Sequence, residues 1–185
     1  MAEPLKKLFT ASEYHTMLEA GILKEDDRVE LIEGEILQMP AMGSRHVSGV
    51  IRATEAFGDL RGRAHLSVQN PVHLDDFSEP EPDLAILRLR PDVYADDLPT
   101  ANDILLLVEV ADTSADYDRR VKISRLYARN RISETWLIDL GSSTIEVFRD
   151  PSPQGYRKIE VFRRGDRLSP LAFPDLMIEV DSILG

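Results

Sequence analysis

The chain has 185 residues, 43% of them hydrophobic and 30% charged, which predicts one domain with its own core over residues 1–185. It has no cysteine, so disulfides, thiolate zinc sites and a cysteine nucleophile are excluded. The sequence shows neither a leader nor an apolar segment long enough for a bilayer, so we expect a soluble cytoplasmic protein and no membrane contact. The net charge of −11 argues against a polyanionic partner, unless clustered carboxylates bind cations that invert the local potential.

The N-terminal part predicts a helix, a hairpin and a second helix. A capping-box spacing precedes a helix over residues 11–20. Residues 28–39 read as two strands around Glu33 and Gly34, and an amphipathic helix follows from about Ser44.

The rest of the chain predicts a sheet interrupted by one helix. The strand candidates are apolar runs bounded by turn residues, over 64–74 (broken by Pro71), 84–89, 104–110, 135–140, 144–149 and 156–162. The unbroken apolar run of 104–110 indicates burial on both faces and a central place in the sheet. A helix over 116–129 follows that strand, and the last two strands form a C-terminal hairpin. The order α-β-β-α-β-β-β-α-β-β-β predicts an α/β or α+β fold with one sheet.

Two carboxylates are the leading candidates for chemistry. Asp83 follows the stiff, proline-containing segment 79–82 and enters the strand 84–89. Glu109 lies near the end of the most apolar strand, where an unpaired carboxylate is unfavourable. Each alone has a plain structural explanation, in a turn or a strand-end ion pair. Together, on adjacent strands, they would offer hard oxygen ligands to Mg²⁺, with the Val110 carbonyl as a further ligand, and the ion would activate water for phosphodiester hydrolysis.

Lys122 is the candidate ammonium group for such a site. It lies on the helix after the Glu109 strand, four residues from Asp118 and therefore on the same helical face. The alternative is a solvated helix with an ordinary ion pair. The basic residues concentrated here suggest a phosphate-facing surface: Arg119, Arg120, Lys122, Arg125, Arg129 and Arg131.

An ordered set of motifs now points to a known family. The set consists of 29–35 (VELIEGE), His46, Pro82-Asp83, 108–110 (VEV), Asp118, Lys122, Tyr127 and 134–139 (ETWLID). In this order the motifs resemble the Uma-type family of restriction endonucleases, a branch of the PD-(D/E)XK nuclease superfamily, over nearly the whole chain. The resemblance implies a mixed β-sheet flanked by helices, with its core at about 28–140.

The resemblance also implies roles for individual residues. Asp83 and Glu109 would be the metal-binding acids, and Lys122 would stand in for the catalytic lysine. The superfamily pattern expects that lysine two residues after the glutamate, where this chain has Ala111. Lys122 must therefore reach the site from the helix.

Glu30 and His46 are further candidates that the resemblance places near the site. From the residues alone, Glu30 alternates with apolar neighbours, which favours the exposed face of a hairpin strand. His46 opens a helix, where it can donate a hydrogen bond to a neighbouring acid or face solvent. Trp136 and Tyr127 are interpreted as core residues rather than as stacking platforms.

The leading hypothesis is a Mg²⁺- or Mn²⁺-dependent nuclease, by resemblance a DNA endonuclease, in which metal-activated water attacks phosphorus. A non-catalytic binding or scaffold protein with the same fold is the alternative, favoured by Ala111 and the net charge. A glycosidase that uses the two acids is chemically open, but only 6% of the residues are aromatic. Serine-hydrolase, P-loop and zinc-protease motifs are absent. A homodimer is expected because symmetric dimers are the commonest assembly.

Overall fold

The computed structural model describes residues 5–39 and 41–185. Its helices are α1 (Ala11–Glu19), α2 (Ser44–Ala56), α3, which begins at Ala115–Tyr117 and continues as a π-helix over Asp118–Tyr127, and α4 (Val180–Leu184). Its strands are β1 (Val29–Ile32), β2 (Glu35–Gln38), β3 (His65–Ser67), β4 (Leu84–Leu87), β5 (Ile104–Ala111), β6 (Glu134–Asp139), β7 (Thr144–Ser152), β8 (Gly155–Phe162), β9 (Arg167–Leu168) and β10 (Ile178–Glu179).

The strands from β3 to β8 form one mixed sheet, in chain order across its width. Strands β5 and β6 are parallel, with α3 as the crossover, and the other neighbours are antiparallel. Strand β5 lies inside this sheet and is almost completely buried. The central position predicted for residues 104–110 is therefore confirmed.

Two apolar layers cover the two faces of the sheet. Alternating β5 residues such as Val108 and Val110 pack with α2 and the C-terminal segment. Their neighbours Leu107 and Ala111 pack with α3 and the residues that precede β4. Because side chains alternate along a strand, Glu109 points to the α3 side of the sheet.

The N-terminal elements confirm the predicted helix and hairpin. Thr10 caps α1, and the capping box with Glu13 is formed. Strands β1 and β2 pair only with each other, apart from a single bridge between Leu31 and Glu79. The prediction of one sheet is wrong in this respect, because the hairpin packs beside the main sheet as a separate two-stranded unit.

Other differences have local causes. The strand predicted over 64–74 is formed only at His65–Ser67; the segment that follows contains Pro71, which cannot donate to a strand ladder. The short elements β9, β10 and α4 were not predicted, since two-residue strands and a five-residue helix are too short to show periodicity. Trp136 and Tyr127 are fully buried, as predicted.

Candidate active site

Asp83 and Glu109 lie next to each other because β4 and β5 run antiparallel. Leu84 pairs with Val108, so Asp83, one residue before β4, falls opposite Glu109. Both side chains are largely buried, with 8% and 3% of the residue surface exposed. The structure thus brings the two predicted acids together, with Asp83 directly before its strand, as predicted.

Asp83 is held by three protein donors. Its Oδ2 accepts a hydrogen bond from the Val110 backbone N–H at 2.8 Å, which extends the β4–β5 ladder through a side chain. Its Oδ1 accepts from His46 Nε2 at 2.9 Å and from Gln69 Nε2 at 3.1 Å. The hydrogen bond to Asp83 raises the pKa of His46 against the opposing effect of burial, and a hydrogen bond with the Val110 backbone adds to it.

His46 reaches Asp83 because α2 approaches β5 closely. Gly49 is the residue at the contact, and a Cβ atom there would lie 2.8 Å from Val110 Cγ1. A side chain at this position would push the helix away from the sheet. Gly49 therefore sets the position of the first turn of α2, which carries His46.

Glu109 is a buried acid with one constrained and one open oxygen. Its Oε1 accepts a hydrogen bond from the Tyr127 hydroxyl and lies 3.6 Å from Lys122 Nζ. Among the described residues every buried side-chain nitrogen and oxygen has a hydrogen-bond partner. Oε2 makes no hydrogen bond with the described residues, so this oxygen is open to the cavity that Glu109 lines. Burial raises the pKa of Glu109 to about 8, although the Lys122 ammonium opposes the shift.

Lys122 is a buried ammonium group, with 2% of its surface exposed. Its Nζ lies 3.0 Å from Glu30 Oε2, besides its contact with Glu109. Burial alone would lower the pKa of Lys122, but the two carboxylates outweigh burial and raise it. Glu30 is itself only 1% exposed, so the interpretation of Glu30 as an exposed strand residue is wrong. Its carboxylate lies beside Lys122 in the wall of the cavity described below.

The π-helical winding of α3 explains how Lys122 and Tyr127 both reach Glu109. They are five residues apart, and in an α-helix that spacing turns the side chains about 140° away from each other. A π-helix is hydrogen-bonded from i to i+5, which brings such residues onto one face. The π-helix spans Asp118–Tyr127 and contains both. Strand β5 and this helix together therefore define the surroundings of Glu109.

The two acids and their neighbours line a cavity of about 610 Å³. The acidic residues in its wall are Glu30, Glu81, Asp83, Glu109, Asp112 and Asp118, and the basic ones are Arg28 and Lys122, with His46 beside them. Six carboxyl groups thus face two strongly basic side chains. Burial also raises the pKa values of Glu81 and Asp118. Negative charge in this cavity is therefore unfavourable unless a cation compensates it.

The donor chemistry fits a divalent cation, although no ready-made ligand cluster is present. Across residues 5–39 and 41–185, no three His, Asp or Glu side chains are arranged to hold a metal ion. The open Oε2 of Glu109, the adjacent carboxylate of Asp83 and the excess of buried carboxyl groups nevertheless match the oxygen ligands that Mg²⁺ and Mn²⁺ take.

Sequence reasoning did not single out Glu81, Gln69 or the contact of Tyr127 with Glu109. For Glu81 a signal was present: the prolines on either side favour an extended chain, which puts residues two apart, Glu81 and Asp83, on the same side. Nothing in the sequence marks Gln69. The Tyr127 contact depends on the π-helix, which sequence periodicity does not reveal.

The basic stretch on α3 is not a free phosphate-facing surface. Arg119 pairs with Glu146 at 2.5 Å, and Arg125 and Arg129 both pair with Glu33 at 2.8 Å. Lys122 is buried. Carboxylates that are distant in the sequence therefore compensate much of the positive charge of this basic stretch.

The fold is nuclease-like. The fold matches the crystal structure of "a putative nuclease belonging to DUF820" from Anabaena variabilis ATCC 29413, with a TM-score of 0.71 and 16% identity over 95% of this chain and 97% of that one. The type IIG restriction endonuclease BpuSI also matches, with a TM-score of 0.44 and 15% identity, over 79% of this chain and 17% of that one.

The family follows from the sequence match. Residues 11–182 match the family model Uma2, described as "Putative restriction endonuclease". Because the match spans most of the chain, this protein belongs to the Uma2 family, which confirms the resemblance inferred from the motifs. The comparison with curated proteins found no match.

Among the helices that the structure describes, none combines the length and the apolar character that a membrane span requires.

Proposed function

We propose that this protein is a divalent-metal-dependent nuclease that hydrolyses phosphodiester bonds in nucleic acid, with DNA as the substrate. The observation that carries the proposal is the convergence of Asp83, Glu109 and Lys122 on one cavity, although they come from three different elements. The family description supports the same reaction class.

In this proposal Asp83 and Glu109 hold Mg²⁺ or Mn²⁺, together with the Val110 carbonyl. The bound cation supplies an activated water and screens the negative charge that develops on the phosphate. His46 donates to Asp83 and fixes the orientation of that carboxylate. The Tyr127 hydroxyl holds one oxygen of Glu109 and leaves the other directed at the cavity.

Lys122 provides the fixed positive charge of the site. Its neighbours Glu30 and Glu109 raise its pKa, so it stays protonated across the physiological range. A protonated amine in a cavity of low dielectric stabilises negative charge that builds up on a phosphate oxygen. The ion pair with Glu30 holds the ammonium group in the site. There it substitutes for the lysine that the superfamily pattern expects at the position of Ala111.

A non-catalytic scaffold with this fold is the second candidate, and one observation favours it. Both oxygens of Asp83 already accept hydrogen bonds, from Val110 and from His46 and Gln69. A cation must therefore replace or share these donors. A scaffold would use the carboxylate only to tie α2 to the sheet.

Calorimetric titration with Mn²⁺, combined with plasmid cleavage at low salt, separates the two candidates. Asp83→Asn keeps the shape of the side chain and an acceptor for the Val110 N–H, but removes the charge. We expect the variant to lose both saturable Mn²⁺ binding and cleavage. The control is Asp59→Asn, at an exposed residue of the short 3₁₀-helix Gly58–Leu60, and should behave as wild type.

The possible results separate the metal-dependent nuclease from the non-catalytic scaffold. Metal binding that persists in Asp83→Asn would show that the ligand assignment is wrong. A wild-type protein that binds Mn²⁺ but cuts neither duplex nor single-stranded DNA would contradict the proposed substrate. If wild type binds no divalent metal at all, the proposed enzymatic function is contradicted and the scaffold function remains.

Three broader features belong to the same proposal. Residues 1–185 form one nuclease-like domain. The protein acts as a homodimer, since a two-fold pair of sites would cut both strands of a duplex. The lack of cysteine is consistent with a reducing cytoplasm as its compartment.

A further inference from the structure

A second cavity, of about 250 Å³, lies along the flank of α2. Its wall is made of polar side chains capable of donating hydrogen bonds, closed by two leucines: Ser44, Arg45, Ser48, Arg52, Ser143, Arg164, Leu140 and Leu184. Ser44, Ser48 and Arg52 follow one another at four-residue spacing and therefore form a stripe along one face of the helix. Among the described residues, no carboxylate side chain lines this cavity, in contrast to the candidate active site.

The three arginines of the second cavity differ in what already holds them. Arg45 pairs with Asp112 at 2.8 Å and donates to the Leu140 carbonyl. Arg164 pairs with Asp181 at 3.3 Å. For Arg52 no acidic side chain is within ion-pair distance among residues 5–39 and 41–185. Its guanidinium lies against Gly185, where a Cβ atom would come within 2.4 Å of the Arg52 Cζ.

Among the described residues, therefore, no acidic side chain pairs with the positive charge of Arg52, although its guanidinium lies against Gly185, whose carbonyl oxygen accepts a hydrogen bond from Arg164. Arg52 is only partly exposed, and contact with Gly185 limits its freedom. A guanidinium held in this way loses less conformational entropy when it binds a phosphate oxygen than a free surface arginine does. Ser44, Ser48 and Ser143 add hydroxyl donors around the same space. This combination suits a phosphate group.

The second cavity is separate from the candidate active site, with no lining residue in common, but one ion pair joins their walls. Arg45 in its wall is bonded to Asp112, which lines the larger cavity. On α2, Arg52 follows His46 by six residues, which corresponds to about 9 Å along the helix axis and about 120° around it. A strand that contacts both sites must therefore pass around the flank of α2.

We propose that the second cavity binds a backbone phosphate of the nucleic acid strand being cut, away from the scissile phosphate, with Arg52 as its main charge. This inference rests on the proposed nuclease function and adds the path of the substrate to it. It also explains how a protein with a net charge of −11 accepts a polyanion: positive charge is needed only along this path. Because phosphates carry no sequence information, the contact positions the strand and does not select bases.

The test is fluorescence anisotropy with a labelled DNA duplex, without divalent metal, over a range of salt concentrations. Arg52→Gln keeps a polar side chain but removes the charge. Loss of one phosphate contact lowers the slope of log affinity against log salt by about 0.9, and weakens binding by roughly tenfold at 50 mM salt. Arg52→Lys restores the charge and should restore most of the slope.

The matched control is Arg157→Gln. Arg157 is exposed on β8 beside Asp150, near the end of β7, whereas Ser143 of the second cavity precedes the beginning of β7. This variant has the same net charge as Arg52→Gln, so a general charge effect would weaken both equally. A specific phosphate contact weakens only Arg52→Gln, and does so equally on two unrelated DNA sequences.

Each result bears on the inference separately from the proposed nuclease. DNA binding with the same affinity and salt slope in Arg52→Gln and wild type overturns the phosphate contact, whether or not the protein cuts DNA. A wild type that binds no DNA overturns it too. If inorganic phosphate raises the melting temperature of wild type but not of Arg52→Gln while DNA does not bind, the cavity is a site for free phosphate and the strand path is wrong. Loss of cleavage in Asp83→Asn with normal Arg52-dependent binding supports both proposals.

Discussion

Glu109→Gln tests the electrostatic description of the candidate active site without any assumption about the substrate. Glutamine has nearly the same shape, and its amide oxygen can still accept the hydrogen bond from Tyr127. The substitution removes the negative charge that burial opposes. In the absence of metal we expect the variant to be more stable than wild type at alkaline pH, although it has lost a proposed metal ligand.

The magnitude follows from the raised pKa. Burial shifts the pKa of Glu109 from 4.5 to about 8, and each pH unit corresponds to about 1.4 kcal/mol, so ionised Glu109 destabilises the folded state by at most about 5 kcal/mol. This limit already includes the attraction to Lys122, which opposes the shift. Relaxation of the protein and water penetration bring such a cost well below the limit, so we expect a net gain of about 1–3 kcal/mol at pH 8.5, or roughly 2–12 °C in melting temperature for a chain of this length.

The sign of the pH dependence is the sharper criterion. Folded Glu109 retains its proton to higher pH than the unfolded chain, so its contribution lowers wild-type stability as pH rises from about 4.5 to about 8. The advantage of Glu109→Gln is therefore small near pH 5 and complete above pH 8.

Urea unfolding at pH 5.5 and pH 8.5, with EDTA present, measures this difference. Glu55→Gln is the control, because Glu55 is exposed on α2 and its replacement should change stability by less than about 0.5 kcal/mol at either pH. An equal stability difference at the two pH values, or a variant less stable than wild type at pH 8.5, would refute the reasoning.

Two further substitutions test how the framework holds the site. Gly49→Ala places a Cβ 2.8 Å from Val110 Cγ1 and should lower the free energy of unfolding in urea by about 1–3 kcal/mol. Gly58→Ala, with no atom within 4 Å of its Cβ, is the control. Equal effects of the two substitutions would contradict the close-packing argument. Arg149→Met leaves Glu134, which is fully buried and 2.6 Å from the guanidinium, without its cation, and should destabilise by about 3–5 kcal/mol. A loss below about 1 kcal/mol would show that the remaining donors to Glu134 suffice.

Local patterns in the sequence were sufficient for most of the elements. The capping box before α1, the alternation around Glu33 and Gly34 and the apolar run of β5 are each confirmed. These signals arise within a few residues of one another, so no knowledge of distant contacts is required. Where a strand was overestimated, at 64–74, the decisive feature was a proline that was already visible.

The candidate acids were also readable from the sequence, since a carboxylate in an apolar strand is unfavourable without a reason. What the sequence did not provide was their environment. The burial of Glu30 and its pairing with Lys122 depend on where the β1–β2 hairpin packs, outside the main sheet. The neutralisation of Arg125 and Arg129 depends on Glu33, more than ninety residues away in the chain.

The sequence by itself thus determined the order of elements, the buried central strand and the identity of the two candidate acids, because these depend on local hydrophobicity and backbone preference. Only the tertiary structure decided which side chains surround the acids. The antiparallel register sets Asp83 opposite Glu109, the close contact at Gly49 brings His46 to Asp83, and the π-helix turns Lys122 and Tyr127 towards the same carboxylate. Each of these is a relation between segments distant in the chain or a change of helical winding, and hydrophobic periodicity contains neither.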